Sequence, residues 1–104
     1  MKVRFLLKKK GKKNEGHPIY LALYQNDEIE LIYTKERCKL KDWNTKERCP
    51  KDHNSNTYIA IDKVKREVQK AIQLLQSQDK VITAFGVKQQ YLNQEKFKNE
   101  IQQK

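Results

Sequence analysis

Residues 18–34 read PIYLALYQNDEIELIYT, and the turn at their middle decides the fold. Before the turn, Ile19, Leu21 and Leu23 alternate with Tyr20, Ala22 and Tyr24. After it, Ile29, Leu31 and Tyr33 alternate with Glu30, Ile32 and Thr34. A period of two predicts strands over 18–25 and 29–34. Pro18 suits the first position of a strand, where its missing N–H does little harm. A two-residue Asn26-Asp27 turn would set Leu23 opposite Glu30 on one face. A three-residue loop, Asn26-Asp27-Glu28, sets Leu23 opposite Leu31 and Leu21 opposite Tyr33. Because the hydrophobic pattern fixes register, the three-residue loop is expected, as a type I turn with a bulge. Asn26 and Asp27 tolerate the left-handed backbone this needs.

Outward from the hairpin, residues 2–8 alternate as well, with Val3, Phe5 and Leu7 opposite Arg4, Leu6 and Lys8, and predict a first strand. Residues 9–16 read as a loop punctuated by Gly11 and Gly16. Residues 35–54 are polar and irregular, with a short extended piece around Cys38 and Leu40. Trp43 is expected to plug or lid the core. Over 56–78, Ile61, Val64, Val68, Ala71 and Leu75 recur at helical spacing, widened by Ile72, and Ser55 or Asn56 caps the start. That stripe is expected to cover the sheet. A second helix starts after Thr83, with Phe85, Tyr91, Leu92, Phe97 and Ile101 sparse along it, and the end from Asn99 is expected to fray. The fold class is therefore α+β: a three-stranded antiparallel sheet packed against one long helix, with a second C-terminal helix or a partly disordered tail. The division expected is a domain over 1–83 and a helical connector over 84–104.

The 104 residues carry a net charge of +10, unevenly spread. Lys2, Arg4, Lys8, Lys9, Lys10, Lys12 and Lys13 fall within the first thirteen residues, with no acid among them. Such a basic end implies a polyanionic partner, nucleic acid before anionic membrane. The plain alternative is a solvated segment that aids solubility. Val3-Arg4-Phe5-Leu6-Leu7 is too short for a signal segment and contains Arg4, and no stretch is long enough to span a membrane, so a cytoplasmic location and no membrane partner are expected. Cys38, Cys49, His17 and His53 contain no close cysteine pair of the kind structural zinc uses, and no metal, disulfide, cofactor or small-molecule ligand is expected. No Ser/His/Asp or Cys/His arrangement is apparent, so an enzyme is not expected. RNA-recognition aromatic motifs and a GXXG loop are absent.

The order of these pieces resembles the N-terminal arm-binding domain of tyrosine recombinases, and most closely the integrases of Bacteroides-type mobile elements. The matching segments are VRFLLKKKGKKNEGHPIYLAL, CKLKDWNTKERC and NTYIAIDKVKREVQKAIQLL running to KVIT, together about residues 2–83. The resemblance implies a sheet whose outer face enters the major groove at arm-type sites beside the recombination core. It also implies a parent integrase with core-binding and catalytic domains that do not fit in 104 residues, so this chain would be a non-catalytic module of DNA integration. Relatives tend to carry basic residues where this chain has Ala22, Glu28 and Glu30. The outer stripe Leu6, Ala22 and Ile32 is apolar, and would meet thymine methyls, the second helix or another subunit.

Duplex DNA is thus the expected partner, with other integrase subunits as the alternative. A two- or three-stranded sheet fits the major groove. Lys8, Lys9, Lys10, Lys12 and Lys13 would then contact phosphates and displace counterions, with Gly11 and Gly16 allowing close approach of the backbone. Arg4 is the expected base reader, able to pair bidentately with guanine. Tyr20 and Tyr24 would add contact area and hydroxyls.

Overall fold

The computed structural model describes residues 1–8 and 16–102, with side chains described up to Lys96. The alternating segments form β1 (Lys2–Leu7), β2 (His17–Gln25) and β3 (Glu28–Cys38). They pair antiparallel in the order β1-β2-β3. Val3, Phe5 and Leu7 stand opposite Leu23, Leu21 and Ile19, and these six line the core side of the sheet. Ile19, Leu21 and Leu23 are fully buried, a contribution of about 1.5–3 kcal/mol each.

The hairpin between β2 and β3 corrects the expected register. Gln25 pairs with Glu28, Leu23 with Glu30, Ala22 with Leu31 and Leu21 with Ile32, so the turn has two residues, Asn26 and Asp27. Asn26 takes the left-handed backbone at φ 54°, and two-residue turns with a positive φ match the right-handed twist of the strands. The polar residues this places on the core side find partners on a distant element. Glu28 Oε1 accepts a hydrogen bond from the Phe85 N–H at 2.6 Å, and Glu30 Oε2 lies 3.5 Å from Lys88 Nζ. Thr34 Oγ1 donates to the Ile19 carbonyl at 2.8 Å. Ile32, expected in the outer stripe with Leu6 and Ala22, is therefore a core residue, and Leu31 occupies the outward place beside Ala22.

β3 runs further than expected because it bends. The register shifts between Pro18 and Tyr20, where Lys35 adopts φ 67° and Thr34 Oγ1 also accepts from the Glu36 N–H at 3.3 Å. Beyond the bulge, His17 pairs with Cys38. Gly16, at φ 78°, lies so close to the Cys38 main chain that a Cβ would sit 3.2 Å from its carbonyl carbon. Its freedom serves close packing on β3. Gly11 lies outside the described residues.

Two helices close the core. α1 (Asn56–Ser77) starts where Ser55 Oγ accepts from the Tyr58 N–H at 3.1 Å. It buries Ile61, Val68, Ala71 and Leu75. Its end is a Schellman motif: Asp79 is left-handed at φ 55°, its N–H bonds the Gln76 carbonyl, and the Lys80 N–H bonds the Leu75 carbonyl. α2 (Ala84–Gln102) is capped by Thr83, whose Oγ1 accepts from the Gly86 N–H at 2.9 Å. It turns Ala84, Val87 and Tyr91 inward, while Phe85 and Leu92 face out, 55% and 43% exposed. Both helices pack on the core side of the sheet. The segment between β3 and α1 is more ordered than its composition suggests. A short 3-10 turn, Leu40–Asp42, precedes a small hairpin of β4 (Trp43–Asn44) and β5 (Cys49–Pro50). Trp43 is buried in the core.

Candidate nucleic-acid interface

With both helices on one side, the other side of the sheet is open. Strand alternation puts Lys2, Arg4, Leu6 and Lys8 there from the first strand. Opposite them stand Tyr20, Ala22 and Tyr24, and beyond these Ile29, Leu31 and Tyr33. The four described residues expected from the sequence, Arg4, Lys8, Tyr20 and Tyr24, share this face and touch in pairs. The Arg4 guanidinium lies 6.0 Å from the Tyr24 ring centroid. Lys8 Nζ lies 4.8 Å from that of Tyr20. Cations held over ring faces are attracted by the ring quadrupole and lose rotamer freedom before any ligand arrives. Ala22 is fully covered although it faces away from the helices, because Arg4 and Leu31 stand on either side of it.

Tyr33 is a part of the face that the sequence reading placed inside. It is 43% exposed, and its ring packs 5.3 Å from that of Tyr20. The two acids that differ from the family pattern, Glu28 and Glu30, point to the helix side. Between the Asn26-Asp27 turn and the bulge, no carboxylate stands on the outer face. Lys9, Lys10, Lys12 and Lys13 lie outside the described residues. The ends of their segment are fixed: the Lys8 N–H bonds the Pro18 carbonyl at 3.0 Å, and Arg37 donates to the Gly16 carbonyl at 3.4 Å.

Beside β1 runs a cleft lined by Arg4, Lys46, Arg48 and Lys65, with Glu47 as its acid. Lys46, Arg48 and Lys65 come from a hairpin and a helix far apart in sequence. Only the tertiary fold brings them beside Arg4, and no local signal marks these three. The surroundings of both thiols favour the neutral form. Burial pushes Cys38 up, helped by the nearby Asp42 charge, and burial with Glu47 does the same for Cys49. Among the described residues, no helix is long and apolar enough to cross a membrane.

A basic, aromatic sheet face backed by two helices defines a small α+β domain built to meet an anionic partner. The chain matches the Arm DNA-binding domain family over residues 5–88 and belongs to it; this is the arm-type DNA-binding domain of tyrosine recombinases. Domains of this family are DNA-binding modules, which supports DNA as the partner. No curated protein and no solved structure matches the chain.

Proposed function

We propose that this domain recognises duplex DNA at arm-type sites as the N-terminal module of a mobile-element integrase. The outer face of the sheet enters the major groove, and the segment from Lys8 to Lys13 follows a phosphate backbone. The observation that carries this reading is the open outer face, free of carboxylates between the Asn26-Asp27 turn and the bulge, on which tyrosines hold Arg4 and Lys8. Arg4 is the base reader, Tyr20 and Tyr24 flank it, and Leu6 and Leu31 supply apolar contact for thymine methyls. Lys8, Lys9, Lys10, Lys12 and Lys13 position the module on phosphates. The cleft of Lys46, Arg48 and Lys65 extends the cationic track past the edge of the sheet. α2 is the connector toward a core-binding domain.

The test is a salt titration of binding to duplexes from the ends of the parent element. Neutralising about five phosphates predicts that log K falls against log salt with a slope near −4.5. Replacing Lys9, Lys10, Lys12 and Lys13 by glutamine should weaken binding to every duplex alike. A flat salt response overturns the reading. A second reading, docking on another integrase subunit, is favoured by the exposed Phe85 and Leu92 on α2. It predicts concentration-dependent dimerisation without duplex binding, which light scattering at two concentrations detects.

A further inference from the structure

The β4–β5 hairpin and the loop into α1 bring together three side chains that ligate metals. Glu47 Oε2 lies 3.8 Å from Cys49 Sγ and 3.4 Å from His53 Nε2. The same sulfur lies 3.8 Å from the same nitrogen. Donors on one tetrahedral zinc ion, with a Zn–S length of about 2.3 Å and Zn–N and Zn–O lengths of about 2.0–2.1 Å, stand roughly 3.3–3.6 Å apart. The observed triangle is therefore already close to the size a single ion imposes.

The sequence pattern does not reveal this triangle, because it has no second cysteine and its third donor is a carboxylate within a charged, polar segment. Two local features build it. Arg48, between Glu47 and Cys49, has φ 55°, which ends the turn of the hairpin and brings its neighbours together. The His53 ring stacks on Tyr58, centroids 4.5 Å apart and planes 23° apart, which holds the imidazole in place with Nε2 beside the thiol. Cys49 is buried, whereas the side chains of His53 and Glu47 are 54% and 58% exposed. The triangle thus has a protein side and a solvent side. The cations that border it, Arg48 and Lys65, share the cavity with a further acid, Asp62.

We propose that Glu47, Cys49 and His53 bind one divalent cation of the zinc class, with water as the fourth ligand. A thiolate and an imidazole select zinc or cobalt over magnesium and calcium, which prefer all-oxygen sites. Binding forms the metal–sulfur bond as the Cys49 proton leaves to solvent, with no change of oxidation state. The ion fastens the small hairpin to the segment that starts α1.

The experiment titrates the tag-free protein, without DNA, with cobalt(II) as the spectroscopic probe and then with zinc(II) as competitor. The expected result is one equivalent of cobalt with a thiolate-to-metal charge-transfer band, erased by one equivalent of zinc. Cys49→Ser should abolish the band while Cys38→Ser keeps it. His53→Ala and Glu47→Gln should each weaken binding by about tenfold or more, at least the cost of losing an outer partner of a metal ligand. Far-UV circular dichroism checks that each variant keeps the helix content of the parent protein. Absence of the band in the folded parent protein, or a band that survives Cys49→Ser, overturns the proposal.

Discussion

Arg4 and Lys8, the proposed DNA contacts, show how the fold orders single cationic side chains. Each long side chain lies over a tyrosine from the neighbouring strand, so part of its ordering cost is met by the fold itself. Arg4→Ala should lower affinity for the best duplex by about 1–3 kcal/mol and relax the preference at one base pair. Tyr24→Leu, which keeps bulk but removes the ring face, should cost about 0.5 kcal/mol through Arg4. Lys8→Gln should weaken all duplexes alike and make the salt slope shallower by about 0.9. Fluorescence anisotropy over a small panel of duplexes separates these three outcomes. These positions were legible because the first two strands have one apolar parity each. Tyr33 was not, because both parities of its strand carry large apolar residues, and only the partners of Glu28, Glu30 and Thr34 decide which side is inward.

Among the elements, α1 was readable to within a residue at each end, because its apolar stripe and its Ser55 cap agree. The Thr83 cap of α2 was equally visible. The β4–β5 hairpin was not, since two-residue strands are too short for any period to emerge. The expected three-residue turn failed for a related reason: local pattern cannot weigh a hydrogen bond to Phe85 made 57 residues away. Glu28→Ala should therefore destabilise the domain by about 1 kcal/mol, the typical value of a helix N-terminal acceptor, measured by urea unfolding. Asp79→Gly should stabilise it by about 0.5 kcal/mol, since glycine adopts the left-handed position at the end of α1 without strain. Tyr91 provides a titration test. Burial first, then the charges of Glu95 and Glu67, push its hydroxyl up to about 12. The fold thus favours the neutral phenol. That contribution is intact below the ordinary value of 10.0 and is lost as pH rises toward 12. In a spectrophotometric titration, one of the five tyrosines should ionise late, and Tyr91→Phe should remove that late step.

At the scale of the whole molecule, the fold sorts charge and apolar surface by side. Both helices, Glu28 and Glu30 lie behind the sheet, while Arg4, Lys8, Tyr20, Tyr24 and Tyr33 lie in front. The family, the three strands and the basic end were all accessible from the order of segments. The cleft of Lys46, Arg48 and Lys65 was not, because it joins a hairpin to a helix. In an NMR titration with duplex, shifts should cluster on residues 4–8, 20–24 and 33 and spare the inward side of α1. α2 has a mechanical consequence. Its first turns are pinned to β3 through Glu28 and Lys88, and it continues to Gln102 without a break. A nineteen-residue helix is about 28 Å long, so a tilt of about ten degrees at the sheet swings its far end by roughly 5 Å. Under the proposed mode of binding, the angle at which the strands settle on DNA would be passed, as through a lever, to the C-terminal end of α2.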